Sequence, residues 1–340
     1  MSVTLQEILT QPTAWHEAVQ RALEVQTPFR RIWQRSHHVL FTGCGSTYYL
    51  SLAAAALFQQ LTKRPARGVP GSELLLNPET VLDGRTDLLI AVSRSGATEE
   101  TLQAVKRFRA LTQGKVIAIT TNGHQPLAAL ADLALVLETA REKSVVQTRS
   151  FSAMYVATTT LATVAHNDPT LLEAVRRLPA LGAQLITQVH DTAKKWGEDG
   201  RITHFYFLGS GILYGLASEA SLKMKEMSLS HSEPFHFLEF RHGPMSMVDE
   251  NTLLVGLLSE RNQHHEQAVL DEMADLGAHV FSLGESGTTV SFKSQVPEVV
   301  RGALYLPPLQ LMAYYRAALR GLDPDHPRHL SPVVKAQSLG

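Results

Sequence analysis

The chain reads twice. HVLFTGCGSTYYLSLAAAAL, from His38 to Leu57, and HFYFLGSGILYGLASEASLK, from His204 to Lys223, share one grammar. Each is a short apolar strand, then Gly-x-Gly, then a tyrosine three places on, then a helix of small residues. The first glycines of the two copies, Gly43 and Gly209, lie 166 residues apart. Further along, DLLIAVSRSGATEETLQAVKRF from Asp87 falls on NTLLVGLLSERNQHHEQAVLDEM from Asn251. KVIAITTNG then aligns with HVFSLGESG at an offset of 164. Three strand–helix units in one order, found twice, predict a duplicated α/β domain. Strands alternating with helical segments predict parallel sheets covered on both faces.

The joins follow from the repeat. Gln6 to Val25 reads as a helical arm, so residues 1–35 are set apart from a first domain over 36–175 and a second over 176–320. Asp168 to Trp196, apolar at helical spacing and holding Pro179, reads as the link between halves. The apolar segment LPPLQLMAYYRAALRG leads into a Pro-rich tail, residues 321–340, expected to be irregular. With 44% hydrophobic and 19% charged residues, the 340-residue chain is rich enough in apolar side chains for a sizeable core. Thirty-one basic against 32 acidic residues leave a charge of −1, which gives no field for nucleic acid. One cysteine, Cys44, fits a reducing compartment. The N-terminus lacks a secretory pattern, and the most apolar stretch, Phe151 to Ala165, is too short to span a bilayer. A soluble, cytoplasmic protein with no membrane partner is the expectation.

Gly-x-Gly after a strand suggests a dinucleotide fold, but that fingerprint needs a third glycine where this chain has Tyr48 and Tyr214. The glycines then serve either a ligand or simply a tight strand-to-helix turn. AVSRSGATEET, Ala91 to Thr101, says more. A Ser-x-Ser-Gly-x-Thr turn between a strand and a helix gathers the hydroxyls of Ser93, Ser95 and Thr98 with backbone N–H groups, which suits a phosphate. Gly96 lets the backbone come close, and Arg94 adds charge if it turns inward. An ordinary N-cap would need one hydroxyl. The second half has Ser259, Glu260, Arg261 and Asn262 there, so one phosphate site per chain is expected.

On a helix, Glu219, Lys223 and Glu226 share a face, either as a surface ion-pair ladder or as the polar border of a cleft. His231, His236 and His242, with Glu233 and Glu239, invite a zinc reading. Their spacing fits no common zinc motif, and Pro234 and Gly243-Pro244 interrupt any helix that would align them, so no metal and no other cofactor is expected. His264 and His265, beside Glu266, read as an exposed helix start, and Cys44 as a small residue in a tight turn.

The blocks EILTQP, GCGST, SRSGAT, EKSVVQTRSF, ASLKMKE, EFRHGP, PLQLMAYYRA and DPDHPRHL, in that order, resemble tandem sugar-isomerase (SIS) domain proteins. The likeness extends over nearly the whole chain to the isomerase half of glutamine–fructose-6-phosphate aminotransferases. It is stronger still to stand-alone aminosugar-phosphate deaminase/isomerases and fructosamine-6-phosphate deglycases. The resemblance implies two tandem doubly wound parallel-sheet domains of flavodoxin-like type and a C-terminal tail over the active site. It places sugar-phosphate contacts at Thr47, Ser93, Arg94, Ser95 and Thr98, with a backbone contact to the sugar at Val145. It assigns proton transfer between C1 and C2 to Glu226, with Lys223 beside it, and ring opening to His242, reaching in from the neighbouring subunit of a homodimer. Arg328 becomes a lid residue. Two departures stand out. Leu330 is followed by Ser331 and Pro332 where the family places a tail lysine, with Lys335 three residues further on. Arg94 replaces the glutamine usual in the synthase turn.

A glutamine-hydrolysing half needs an N-terminal cysteine nucleophile, and the single cysteine is Cys44, so glutamine-dependent synthesis is not expected. The expected chemistry is enolisation of a hexosamine 6-phosphate, with Glu226 as the base, Lys223 stabilising developing charge and His242 acting on the ring oxygen and the C1 hydroxyl, releasing ammonia and a ketose 6-phosphate. The alternatives are a fructosamine-6-phosphate deglycase and a non-catalytic sugar-phosphate sensor. A sensor would have little need of Glu226 or His242.

Overall fold

The computed structural model describes residues 2–331, which divide into two compact units. The first is Thr10–Pro179, and the second is the segment up to Leu9 together with Ala180–His329. Helix α1 (Val3–Leu9) belongs to the second unit, while α2 (Gln11–Glu24) and α3 (Gln26–Gln34) belong to the first. The arm read from Gln6 to Val25 is therefore broken at Thr10, and its pieces serve different units. Pro12 and Pro28 sit in the first turns of α2 and α3, where a missing N–H does no harm but a helix running through would lose a bond.

The first unit continues as β1 (Val39–Gly43), α4 (Ser46–Thr62), β2 (Ala66–Pro70), α5 (Gly71–Leu76), α6 (Pro78–Val81), β3 (Leu88–Ser93), α7 (Glu99–Leu111), β4 (Lys115–Thr120), α8 (Pro126–Leu130), β5 (Leu133–Val136) and α9 (Arg149–His166). Helix α10 (Pro169–Gly197), which contains Pro179, carries the chain onward. The second unit holds β6 (His204–Leu208), α11 (Ile212–Ser228), β7 (His231–Phe235), β8 (Thr252–Leu257), α12 (Gln263–Asp275), β9 (His279–Gly284), β10 (Val290–Ser291) and α13 (Leu306–Leu319). Each sheet is wholly parallel, in the orders β2-β1-β3-β4-β5 and β7-β6-β8-β9-β10. These are the same order once the second copy is counted from its own first strand.

Both faces of each sheet are covered. In the first unit Leu40, Leu89, Ala91, Val116 and Ala118 pack with Leu102, Val105 and Phe108 of α7. The next residue along β1, Phe41, points the other way and meets Phe58 of α4, ring centroids 5.1 Å apart. In the second unit Tyr206, Leu208 and Leu254 pack with Val269, Leu270 and Met273 of α12. On the opposite face the Arg316 guanidinium of α13 lies over Phe205. The central strands are buried along their whole length, hence their unbroken apolar runs.

The duplication is written into the element bounds. Helix α4 maps onto α11 at an offset of 166, end to end, and the left-handed C-caps Lys63 and Leu229 keep it. From β3 onward the offset is 164, and β3, α7 and β4 map onto β8, α12 and β9 residue for residue. Two residues are thus lost between the α4 and β3 counterparts, outside both core elements. The four remaining strands, β2, β5, β7 and β10, are the outer ones and carry no strong sequence signal. Strands β2 and β7 are half-exposed and contain Pro70 and Pro234, which an edge tolerates.

Candidate active site

In each sheet the strand order reverses beside the first strand, and ligands of open α/β sheets bind outside the carboxyl ends at such a point. The two motifs of the first unit emerge there, Gly43–Thr47 after β1 and Ser93–Thr98 after β3. The second glycine of the first motif has φ 57° and ψ −125°, and its counterpart Gly211 has φ 58° and ψ −123°. Only glycine adopts these angles without strain, so the two turns are one device used twice.

The hydroxyls of Ser93, Ser95 and Thr98 converge as the spacing predicts. Thr98 Oγ1 lies 3.3 Å from both Ser93 Oγ and Ser95 Oγ. Ser93 Oγ accepts from the Gly96 N–H at 3.2 Å, and Ser95 Oγ from the Ala97 N–H at 3.1 Å. Gly96 has φ 67°, and a Cβ there would sit 3.0 Å from Gln125 Cβ and Thr120 Oγ1. The result is a three-hydroxyl nest before the N-terminus of α7, an arrangement suited to a phosphate dianion. Thr47 is placed differently. Its buried hydroxyl accepts from the Cys44 N–H and donates to the Cys44 carbonyl, both at 2.9 Å, so it holds the glycine turn in shape. Burial pushes the Cys44 thiol up, partly offset by Thr101 Oγ1 at 3.5 Å.

Arg94 turns to the loop before α9. Its guanidinium donates to the carbonyls of Val145 at 2.8 Å and Ser144 at 3.3 Å, and lies 3.6 Å from Glu142 Oε2. The Glu142 carboxylate, wholly buried, accepts from the Thr148 N–H and Oγ1 at 2.8 and 3.0 Å, from the Ser150 N–H at 3.1 Å, and from Ser150 Oγ. Glu142 lies inside the EKSVVQTRSF block, yet its function as the cap of α9 was missed. Glutamate is an unusual cap, and one reaching forward six to eight residues has no local signature.

In the second unit Lys223 is buried between two carboxylates on its own helix. Its Nζ lies 3.3 Å from Glu219 Oε1 and bonds Glu226 Oε2. Glu219 and Lys223 are 1% exposed and Glu226 is 20% exposed, so the face is no surface ladder, and Glu226 is its member open to solvent. Burial alone would push the ammonium down, but the carboxylates of Glu219 and Glu226 override it and hold Lys223 above its ordinary value. Glu226 thus faces a positive charge near neutral pH.

The three histidines are dispersed. His231 is exposed on β7, and His236 stacks on Tyr214 with centroids 3.9 Å apart and planes within 16°. Burial lowers the pKa of His236, partly countered by Glu239. His242 is exposed in the turn after Glu239–Arg241. Among the described residues no cluster of His, Cys, Asp or Glu is placed to hold a metal, and no helix is long and apolar enough to cross a membrane. Arg328 is exposed on the tail, while Pro332 and Lys335 lie outside the described residues.

The counterpart of the phosphate turn is filled from within. Ser259 donates its N–H and Oγ to Glu266 Oε2 at 2.6 and 3.0 Å, and the N–H groups of Glu260 and Arg261 donate to Glu298 Oε2 at 2.8 and 3.1 Å. The buried Arg301 donates to Glu260 and lies 3.3 Å from Glu285. Internal carboxylates occupy the donors that the first half leaves to its serines.

A family model described as the SIS domain matches residues 32–164 and 201–320. The glutamine–fructose-6-phosphate aminotransferase (isomerizing) of Pyrococcus horikoshii is 28% identical over 98% of this chain and 57% of its own length. That of Pseudomonas putida is 29% identical over 90% of this chain and 53% of its own length. The chain spans little more than half of these curated relatives. Among solved structures, glucosamine-6-phosphate deaminase of Thermotoga maritima superposes with a TM-score of 0.78 at 29% identity, covering 94% of this chain and 99% of that one. Tagatose-6-phosphate ketose/aldose isomerase of Escherichia coli shares the fold with a TM-score of 0.88 at 22% identity, over 99% of this chain and 97% of that one.

Proposed function

The chain belongs to the SIS domain family, and we propose that within it this protein is an aminosugar-phosphate isomerase/deaminase acting on a hexosamine 6-phosphate. The observation that carries this reading is the buried Lys223 clamped between Glu219 and the half-open Glu226. A carboxylate held beside a fixed ammonium, with one edge facing solvent, is equipped to take a proton from one carbon and return it to the next. The three-hydroxyl turn at Ser93, Ser95 and Thr98 holds the phosphate, supplying binding energy remote from the reacting carbons. The Thermotoga deaminase, similar along nearly its whole length, supports the choice of an amino sugar.

In this scheme His242 assists ring opening and comes from the neighbouring subunit of a homodimer, and Arg328 lies in a tail that covers the substrate. Glu226 takes the proton from C2 of the open-chain sugar and delivers it to C1. The C2 nitrogen becomes an imine, and water replaces it to give ammonia and the ketose. Each step is a proton transfer or part of the hydrolysis of the imine, in which the C–N bond breaks and the nitrogen leaves as ammonia, so the scheme calls on no metal and no redox cofactor.

Incubation with glucosamine 6-phosphate should yield ammonia and fructose 6-phosphate in equal amounts. Release of an amino acid from a fructosamine 6-phosphate, with no ammonia from any amino sugar phosphate, would overturn the deaminase in favour of a deglycase. Tight binding of such sugars with no turnover would make the protein a sensor.

A further inference from the structure

Arg94 stands between the two serines of the phosphate turn, where a cation is expected to serve the phosphate. Its surroundings give it a different task. The Arg94 carbonyl accepts from the Thr121 N–H at 3.2 Å and Thr121 Oγ1 at 2.9 Å, which fixes its main chain to the end of β4. Its side chain, 11% exposed, runs to the 142–148 loop and donates to two successive carbonyls, those of Ser144 and Val145. Beyond them lies Glu142, which is held by the first turn of α9. Ser144 Oγ closes the same loop by donating to the Val146 carbonyl at 3.0 Å. One side chain therefore ties the end of β3 to the 144–146 segment some fifty residues further along the chain and, through Glu142, to the adjoining start of α9.

We propose that Arg94 is a positioning residue: it fixes the distance between the phosphate turn and the Ser144–Val145 backbone, and so sets which phosphorylated sugars fit, without itself binding the phosphate. It rests on the proposed function, which seats the phosphate of the sugar on this turn. A guanidinium suits the task because its rigid fork spans two carbonyls and a carboxylate, which an ammonium does not reproduce.

Calorimetric titration of wild type, R94K and the R94Q/E142Q pair with inorganic phosphate and with fructose 6-phosphate tests the assignment. The double variant removes both charges, so neither is left buried and unpaired should R94Q alone fail to fold. Inorganic phosphate should bind all three within about twofold, while fructose 6-phosphate should bind the variants roughly tenfold or more weakly. Parallel losses for both probes would make Arg94 a direct phosphate ligand and overturn the proposal. Unchanged binding of both would overturn it too, leaving Arg94 as filling. A wild type that binds fructose 6-phosphate yet releases no ammonia from glucosamine 6-phosphate refutes the proposed reaction and leaves this comparison standing. A wild type that binds inorganic phosphate but not the sugar phosphate refutes the positioning claim.

Discussion

Glu226 and Lys223 touch, yet their losses should be felt in different measurements. Glu226→Gln keeps size and hydrogen bonding but removes the base, so sugar-phosphate binding should persist while turnover falls by at least the ~10²–10⁴-fold credited to a general acid–base group. In deuterated water the wild type should place deuterium at C1 of the ketose or pass hydrogen from C2, and Glu226→Gln should do neither at a comparable rate. Normal turnover by that variant would reduce Glu226 to a helix ion pair. Lys223→Met should act on stability, because the buried Glu219, 1% exposed, loses the ammonium that lies 3.3 Å from it. A cost of about 3–5 kcal/mol in urea unfolding is expected near neutral pH. The carboxylates raise the Lys223 pKa above 10.5, so the stability it contributes is whole below that value and is lost as pH rises through the folded-state pKa. The gap between wild type and Lys223→Met should hold steady near neutrality and close in strong alkali. The spacing of Ser93, Ser95 and Thr98 announced their convergence, since local turns are local information. The Arg94–Glu142 tie did not show, because its partners meet only through the tertiary fold.

At the level of the elements, two copies of one turn have gone separate ways. Replacing Ser95 and Thr98 together by Ala should weaken binding of a phosphorylated sugar by roughly tenfold or more, each removing a hydrogen bond to a charged group. Ser259→Ala should leave that affinity unchanged, because the donors of its turn already serve Glu266 and Glu298. Equal losses in the two variants, measured by titration calorimetry, would refute a single phosphate site. The same contrast explains what was legible in the sequence. Strands β1, β3, β6 and β8 are central, buried on both faces, and advertise themselves as apolar runs. Strand β7, HSEPF, is an outer strand with exposed His231 and Glu233, and its residues suggested a histidine cluster sooner than a sheet. The repeat itself was plain, but its two-residue shift is split, one residue on either side of β2 and its counterpart β7, in connections where no packing constraint holds length fixed.

For the molecule as a whole, the homodimer predicted with His242 acting across subunits is open to complementation. Glu226→Gln and His242→Ala proteins, each inactive, should recover part of the activity when mixed under conditions of subunit exchange. Proven heterodimers without recovery would return His242 to its own chain or remove it from catalysis.

Within the second unit, Asp325 of the tail accepts from the N–H groups of Val3 and Thr4 at 2.8 and 2.7 Å and from Thr4 Oγ1 at 2.6 Å, capping α1. Helix α1 also packs against α13. During synthesis the segment that begins the unit leaves the ribosome more than three hundred residues before the aspartate that secures it. Its sheet can form earlier, but its first helix must wait. A cut at Pro179 made to obtain the two halves separately would give α1 to the fragment that does not use it. The half bearing Glu226 would have to be produced with that helix restored, for instance by grafting Val3–Leu9 beyond the tail through a flexible linker.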